Sequence, residues 1–258
     1  MVAGFFLLPL AMSAWGAFAS PAGPTLANFV RAWELYRADV LVTLAIAGSA
    51  TVLIGIGACA IGGYLTLGRC APARAALAWL YRWPLFIPFV VAAQCMRGFL
   101  GQNGLMNGAL IAAGLMPEAW ATSFLDWRGI VLTFVWKQMP FATLLVAGAM
   151  AALDQRQVQA AQGLGAGRWR VFAAVVLPQV RRSLGVALIL SFVTMMGVLS
   201  VPLMISGQSP SMLTVPMAWR INSLGDYATA NALGVIACLM TGAVAWIWLR
   251  QSLKERAA

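Results

Sequence analysis

Residues 154–178 read DQRQVQAAQGLGAGRWRVFAAVVLP and join two long apolar segments of the chain. Connections between packed helices are usually about 2–8 residues long, so this stretch is too long for a simple turn. Glycines at positions 163, 165 and 167 predict a sharp bend, because glycine weakens a helix and permits a positive φ angle. We therefore predict two short helices, one over residues 154–164 and one over residues 168–178.

The segments on either side of this stretch are apolar enough to cross a lipid bilayer. Apolar residues make up 62% of the 258 residues and charged residues 9%, whereas soluble domains average roughly 45–50% and 25%. This composition argues against a disordered chain, a nucleic-acid-binding protein and an ordinary soluble enzyme. A spanning helix needs about 20 mostly apolar residues. The pattern predicts six spans, at residues 2–19, 40–68, 75–96, 127–153, 184–205 and 227–249.

The sequence thus predicts an all-α polytopic membrane protein with a single transmembrane domain over residues 1–258. Within it we distinguish a first span with an external segment (1–39), five core spans (40–249), the cytoplasmic loop (154–178) and a tail (250–258). A short external helix is predicted at residues 105–113. Proline predicts broken or tilted helices at Pro84, Pro88, Pro140 and Pro202.

The first predicted span has a second interpretation. It ends in Ala17-Phe18-Ala19-Ser20, which resembles a signal-peptidase site. A signal peptide normally begins with Lys or Arg, and the first such residue here is Arg31. We favour a retained span and keep the signal peptide as the alternative.

Small residues recur at every fourth position of the second span. Because residues four apart share a helix face, they form one continuous stripe. Such stripes let membrane helices approach closely, so we predict a tight seam with a neighbouring helix. The stripe consists of Ala47, Thr51, Gly55, Cys59 and Gly63.

The charged residues between the spans set the orientation of the chain. The connections after the second and fourth spans, with the C-terminal tail, carry eleven Lys and Arg residues against two acids. The other connections carry five cations and five acids. Cytoplasmic loops of membrane proteins hold the excess of Lys and Arg. Residues 154–178 and both termini are therefore predicted to lie in the cytoplasm, and the net charge of +10 follows from this bias.

Few residues could carry catalysis or hold a metal ion. The chain has no His, seven acids, and four Cys without CxxC spacing, so neither a metal site nor an acid–base site is indicated. A phosphate-binding loop needs G-x4-G-K-[ST], and neither Lys137 nor Lys254 follows such a turn. We predict a chain that is not an enzyme, without catalytic residues, bound metal or an ATP site of its own.

Residues 154–178 resemble the cytoplasmic loop of bacterial ABC-transporter permeases of the binding-protein-dependent importer class. Every gap of the family signature E-A-A-x3-G-x9-I-x-L-P is matched, by Gln159-Ala160-Ala161, Gly165 and Val175-x-Leu177-Pro178. Gln159 stands where the family has Glu, and Val175 stands where it has Ile. The resemblance implies the type I importer permease (MetI-like) fold, in the bacterial cytoplasmic (inner) membrane.

The resemblance also implies what this loop does. Residues 159–165 would form a coupling helix that docks on a separate cytoplasmic ABC ATPase dimer, which binds ATP and Mg²⁺. The other implied partners are a second permease chain (a heterodimer rather than a homodimer), an external or periplasmic substrate-binding protein and membrane lipid, but no nucleic acid. The implied coupling residues are Gln159, Ala160, Ala161, Gly165, Ala166, Arg168, Arg170, Phe172, Leu177 and Pro178.

Further motifs resemble the subgroup of these permeases that carries polyamines, ferric iron, 2-aminoethylphosphonate and thiamine. The resemblance implies import of a polyamine-like or related small charged solute. The motifs are Pro84-x3-Pro88, MRGFLGQNGLMN at 96–107, WKQMPF at 136–141 and GDY at 225–227.

A translocation path is predicted in the fourth and fifth spans. Lys137 lies about nine residues into its span, or ~13 Å deep at 1.5 Å per residue. An intramembrane cation is a functional candidate, and it could attract an anionic solute. Alternatively, Lys137 pairs with a backbone carbonyl or with an acid of another subunit. The predicted path residues are Lys137, Gln138, Pro140, Thr194, Met195 and Pro202.

Two other classes of protein stay open at this point. One is a non-ABC secondary transporter or channel, and the other is a membrane-anchored assembly subunit without a transport path. The transporter or channel alternative predicts that residues 154–178 bind no ATPase and are dispensable.

Overall fold

The computed structural model describes residues 2–20 and 23–257, and helices form most of this part of the chain. In chain order they are α1 (Val2–Phe18), α2 (Ala27–Leu67), α3 (Ala71–Leu80), α4 (Phe89–Leu100), α5 (Leu105–Ala112), α6 (Trp127–Ala151), α7 (Gln155–Gly163), α8 (Arg168–Val171), α9 (Leu177–Gly197), α10 (Ser200–Ile205), α11 (Thr214–Asn222) and α12 (Tyr227–Ala257). Short 3₁₀ turns lie at Trp83–Phe86 and Glu118–Trp120, and a π turn lies at Phe172–Val176.

Four helices in the described residues are long and apolar enough to cross a membrane: α2, α6, the continuous helix Arg168–Gly197, and Tyr227–Arg250 within α12. A bent pair, Ala71–Phe86 and Phe89–Ala112, meets at 110° and gives a fifth candidate crossing. The apolar part of α1, Leu7–Phe18, is shorter. The predicted all-α polytopic architecture is confirmed, with the third span divided and the first span short.

The third predicted span is not one helix. Ile87 and Pro88 are extended, with ψ angles of 123° and 150°, and they separate the 3₁₀ turn from α4. Proline lacks an N–H group and disfavours helical geometry at the preceding residue. The break that Pro84 and Pro88 predicted is therefore present. The prediction of one continuous span over residues 75–96 is corrected to two helices with a break between them.

The fifth predicted span breaks at a different residue from the one expected. Val198 is extended (φ −81°, ψ 120°) and ends α9, whereas Pro202 lies in the first turn of α10. A first turn tolerates proline because its N–H groups have no partner inside the helix. The break that Pro202 predicted is therefore present, but it lies four residues before the proline, at the residue whose carbonyl the proline ring would meet in a continuous helix. By contrast, the predicted break at Pro140 is absent, because α6 continues through this residue.

The second loop helix does not end at Pro178 as predicted. The π turn lets the Leu177 N–H donate to the Phe172 carbonyl, five residues earlier. Pro178 then falls at the start of the following α-helical turns, where a missing N–H is tolerated. As a result α8, the π turn and α9 form one helix, and the cytoplasmic segment is continuous with the fifth span.

The main core lies between α2, α6 and α9. Its fully buried side chains include Ile54, Phe134, Met150, Val176 and Met195.

The small-residue stripe of α2 faces the helix that contains the π turn. Ala47 packs with Phe192 in a buried cluster. A Cβ atom on Gly55 would approach Leu188 Cδ1 to 3.2 Å, and one on Gly63 would approach Phe172 Cε2 to 2.7 Å. The predicted tight seam is confirmed at these positions.

The external segment predicted before the second span is helical and continues into it. The axis of α2 bends at Tyr36, whose backbone is non-helical (φ −126°, ψ 15°). The first helix, α1, packs on α12, and Ser13 Oγ donates a hydrogen bond of 3.0 Å to Asn231 Oδ1. The short helix predicted at residues 105–113 is present as α5, at Leu105–Ala112, and its external position stays a prediction.

Candidate functional site

The loop segment, defined as residues 154–178, begins with the predicted short helix. Asp154 caps α7, because its Oδ1 accepts the Arg156 N–H at 2.9 Å. After α7 the chain turns at Gly165, whose φ angle is +82°. The Gly165 N–H donates to the Gln162 carbonyl at 2.9 Å, and the Ala166 N–H donates to the Ala161 carbonyl at 3.1 Å. Among the three glycines of the loop, Gly165 alone has a positive φ, and it makes the predicted bend.

The inner face of the loop segment is fixed to the membrane-spanning core. Val158 is buried in the main core, and Ala161 and Ala166 pack against that core. Gln179 Nε2 donates to Gln157 Oε1 at 2.9 Å and to the Val175 carbonyl at 2.8 Å. The short helix is therefore attached to the fifth-span helix by both apolar packing and hydrogen bonds.

The outer face of the loop segment carries two large, uncovered apolar side chains. Leu164 is 91% exposed and Trp169 is 83% exposed. Large apolar groups displayed together on one surface typically mark an interaction site. The predicted coupling residues differ in their exposure. The exposed ones are Gln159, Ala160, Gly165, Arg168, Arg170 and Pro178, and those at least half-buried are Ala161, Ala166, Phe172 and Leu177.

Lys137 has its partners within the chain. Its Nζ donates to the Leu85 carbonyl at 3.2 Å and lies 5.2 Å from the centre of the Phe89 ring. The residue is buried between α6 and the bent pair. Of the alternatives drawn from the sequence, pairing with a backbone carbonyl is the one that this geometry shows.

The other predicted path residues lie mainly inside the packed helices. Gln138, Pro140, Met195 and Pro202 are buried. Thr194 is exposed, and its Oγ1 donates to the Leu190 carbonyl at 2.7 Å. Which of these residues contact a solute stays a prediction. A solute at the outer surface of this chain would therefore contact Thr194 before it contacted the four buried residues Gln138, Pro140, Met195 and Pro202.

A cavity of about 450 Å³ opens between α2 and the connection from α10 to α11, at the end of the chain predicted to be external, and no sequence pattern indicates it. Asp39, on α2, is 4% exposed, and its Oδ1 accepts the Ser211 N–H at 2.8 Å. Thr43 Oγ1 accepts the Leu213 N–H at 2.9 Å and donates to the Asp39 carbonyl. These bonds attach the connection between α10 and α11 to α2. Polar lining residues of the cavity are Asp39, Gln208, Ser209, Ser211, Asn222 and Ser223.

A second external contact stabilises the start of α12. Arg220 donates from Nε to Tyr36 Oη at 2.9 Å and from Nη1 to Asp226 Oδ2 at 2.8 Å. Burial alone would raise the pKa of Asp226, but hydrogen bonds from Thr229 and Arg220 outweigh this effect and lower it. Asp226 belongs to the GDY motif of the sequence, and the structure shows it in an ion pair rather than beside a solute site.

Residues 59–256 match the family described as the binding-protein-dependent transport system inner membrane component. Because this match covers most of the chain, the chain belongs to that family, the inner-membrane permeases of ABC importers. The resemblance noted in the loop segment is thereby confirmed, and the two non-ABC classes are set aside.

Several relatives show how far the similarity extends. The trehalose/maltose transport system permease protein MalF of Thermococcus litoralis is 27% identical over 191 residues, which are 72% of this chain and 65% of MalF. The molybdenum transport system permease protein ModB of Escherichia coli is 29% identical over 197 residues, 74% of this chain and 84% of ModB. The sulfate transport system permease protein CysW of Escherichia coli is 26% identical over 259 residues, 99% of this chain and 85% of CysW.

Solved structures share the fold. A bacterial ABC transporter involved in the import of the acidic polysaccharide alginate gives a TM-score of 0.82 at 18% identity, covering 97% of this chain and 91% of that one. The inward-facing MetNI methionine ABC transporter gives a TM-score of 0.65 at 16% identity, covering 84% of this chain and 94% of that one. The predicted MetI-like permease fold is confirmed.

Proposed function

We propose that this chain forms one half of the translocation path of an ABC importer and that the loop segment couples it to a separate ATPase dimer. The supporting observation is the two-sided construction of that segment. Leu164 and Trp169 are exposed at the surface, while Val158 is buried in the core. A partner that grips the outer face would move the fifth-span helix, because the loop is continuous with it.

The remaining partners and the orientation follow from this assignment. ATP and Mg²⁺ would bind to the partner ATPase, and a second permease chain, different from this one, would complete the path. A periplasmic binding protein would deliver the solute to the external cavity. Both termini and the loop segment would lie in the cytoplasm, as the excess of Lys and Arg on that side supports.

For the solute we propose a small hydroxylated, sugar-like molecule. The external cavity has a volume typical of ligand pockets. Ser211 Oγ lies in its wall, buried and without a hydrogen-bond partner among the described residues. Trp219, which is exposed in the same wall, offers an apolar face beside these hydroxyl and amide groups. The printed name of MalF, a trehalose/maltose permease, supports a sugar.

The polyamine-like solute suggested by the subgroup motifs has less support. The relatives named above are, by their names, permeases for sugars, molybdenum and sulfate. Asp39 is the acid among the described lining residues of the external cavity, and it already accepts the Ser211 N–H. An oxyanion is the second candidate. The similarity to ModB and CysW, a molybdenum and a sulfate permease by name, extends over a larger share of their length than the similarity to MalF does.

The coupling proposal is tested with Leu164→Asp. A carboxylate at this position would remove an apolar contact from the docking surface, and we expect transport and ATPase co-purification to fall at least about tenfold, or ~1.4 kcal/mol. The matched control is Leu115→Asp, because Leu115 is also an exposed leucine (76%) but lies in the connection after α5. Normal uptake by Leu164→Asp would contradict the proposal.

The solute proposal is tested by competition in proteoliposomes that contain the whole transporter with its binding protein. Trehalose or maltose should inhibit uptake of the labelled cognate solute, and Ser211→Ala should weaken uptake without loss of the assembled complex. Inhibition by molybdate or sulfate alone would favour the oxyanion, and inhibition by spermidine alone would restore the polyamine.

A further inference from the structure

A second cavity, of about 230 Å³, lies at the opposite end of the chain, between the cytosolic end of α2 and the start of α8. Its floor is apolar, and includes Ala60, Leu67 and the Phe172 ring. Gly63 lets the ring lie against α2, since a Cβ atom there would come within 2.7 Å of Phe172 Cε2. The floor is therefore a narrow apolar slot that ends where the apolar part of α2 ends.

The mouth of this cavity carries positive charge. Arg168 lines it directly. Arg74 is adjacent, because a Cβ atom on Gly68, another lining residue, would lie 3.3 Å from Arg74 Cγ. The Arg168 side chain thus lines the slot, and the side chain of Arg74 passes close to Gly68 at its edge. Arginine favours phosphate, with which it forms two parallel hydrogen bonds.

The same mouth carries amphipathic aromatic side chains. Trp169 is 83% exposed and Tyr64 is 41% exposed, and both line the cavity. Trp and Tyr are enriched at the level of the lipid headgroups, where one end of each ring system meets the apolar layer and the other meets water. The position, the charge and the aromatic residues all agree with the cytosolic headgroup region.

We propose that this cavity binds one anionic phospholipid of the cytosolic leaflet. The headgroup phosphate would pair with Arg168 and Arg74, and an acyl chain would lie along Ala60 and Leu67. A free phosphate ion would use the two arginines but leave the apolar slot unfilled, so the slot favours the lipid. The bound lipid would lie between α2 and the start of α8, in contact with Arg168 and Trp169.

Binding of the lipid is independent of the proposed function, and only its effect on coupling rests on that function. A lipid against the start of α8 would stiffen the helix that carries Arg168 and Trp169. We therefore expect ATP-driven uptake to be faster in membranes that contain phosphatidylglycerol than in pure phosphatidylcholine. If uptake is absent in both membranes, the coupling proposal fails. Whether the lipid binds is then still determined by photolabelling, which does not require transport.

The binding test uses the purified full-length chain in nanodiscs and a photoactivatable phosphatidylglycerol, with cross-linked peptides identified by mass spectrometry. Labelling should map to α2 and α8. Ala60→Trp fills the slot and should reduce labelling about tenfold, as should Arg168→Gln. The control is Ala243→Trp, a similarly exposed alanine on α12, which should label like the unmodified chain.

Three results would overturn the lipid site. The first is equal labelling of Ala60→Trp and Ala243→Trp. The second is equal labelling by a photoactivatable phosphatidylcholine, which would indicate unspecific surrounding lipid. The third is displacement of the probe by excess inorganic phosphate, which would indicate a small-anion site instead.

Discussion

The two ends of this chain are held together by different kinds of contact. At the cytosolic end, the bend of the loop segment depends on bonds between near neighbours, such as Gly165 to Gln162 and Ala166 to Ala161. At the external end, Ser211 bonds to Asp39 across 172 residues of sequence, and Leu213 bonds to Thr43 across 170. The cytosolic bend is therefore a local unit attached to the core, whereas the external wall exists only when distant segments meet.

This difference suits the two tasks proposed for the ends. A coupling segment must transmit force, and a bend fixed by its own backbone keeps its shape while it is pulled. A gate must open, and a wall held by a few side-chain bonds can separate without unfolding its helices. Changes at the cytosolic end should therefore affect coupling, and changes at the external end should affect local stability and gating.

The largest effect is expected from Gly165→Val. Gly165 has φ +82°, which a β-branched residue adopts only under strain, so the bend should change shape at a cost of about 1–3 kcal/mol. We expect loss of solute uptake with normal membrane insertion. Gly163→Val is the control, because a Cβ atom meets nothing within 4 Å at either glycine but Gly163 lacks the positive φ. Equal uptake by the two variants would show that the bend does not matter.

A smaller effect is expected from Asp39→Ala at the external end. The substitution leaves the buried Ser211 N–H without its acceptor, which costs about 1–3 kcal/mol. The connection between α10 and α11 should become sensitive to protease added outside, while ATPase binding stays normal. Asp39→Asn keeps an oxygen acceptor and should resist the protease. If the connection in Asp39→Ala resists the protease as well as it does in the unmodified chain, the external wall does not depend on the bond to Asp39, and the proposed difference between the two ends is contradicted.

Lys137→Met should separate a structural role from a solute-binding role. The substitution removes the bond to the Leu85 carbonyl and the contact with the Phe89 ring. We expect the free energy of unfolding to fall by about 1 kcal/mol, with the solute concentration for half-maximal uptake unchanged. A thermal unfolding curve measures the expected loss of stability, and uptake measured against solute concentration tests whether the half-maximal concentration is unchanged. A large change in the uptake curve alone would place Lys137 in the path.

The smallest effect concerns the pH dependence of the external ion pair. Because the pKa of Asp226 is lowered in the folded chain, its contribution to stability is complete above the unfolded pKa of roughly 3.9. The contribution is lost as the pH falls through the lower, folded value. Near neutral pH the contribution of Asp226 should therefore be complete and independent of pH, and acid unfolding should be less steep in Asp226→Asn. An identical acid transition in both proteins would contradict this assignment.

Much of the cytosolic end could be predicted because its geometry depends on residues that are close together in the sequence. The spacing from Gln159 to Pro178 gave the short helix, the bend at Gly165 and the family. The π turn before Pro178 was not predictable in the same way, since proline usually signals the end of a helix. It begins at Phe172, whose ring packs against Gly63 of another span.

The external end could not be predicted because it depends on tertiary contacts. Asp39 was counted among the external charges, and nothing near it in the sequence indicates a bond to Ser211. The depth of Lys137 in its span identified it as unusual. Its partner, the Leu85 carbonyl, could not be predicted, because every residue has a backbone carbonyl. The division between α9 and α10 lies at Val198, four residues before Pro202, so the proline indicated the break but not the residue at which it falls.

The central claim, that the loop segment contacts an ATPase, is tested most directly by cross-linking. Leu164→Cys is placed in a variant without the four native cysteines and assembled into the complete transporter. We expect it to cross-link to the ATPase and to lose its reaction with a water-soluble maleimide on assembly, whereas Leu115→Cys should do neither. If Leu164→Cys reacts equally with the maleimide in the free chain and in the complete transporter, and cross-links to nothing, the account is contradicted.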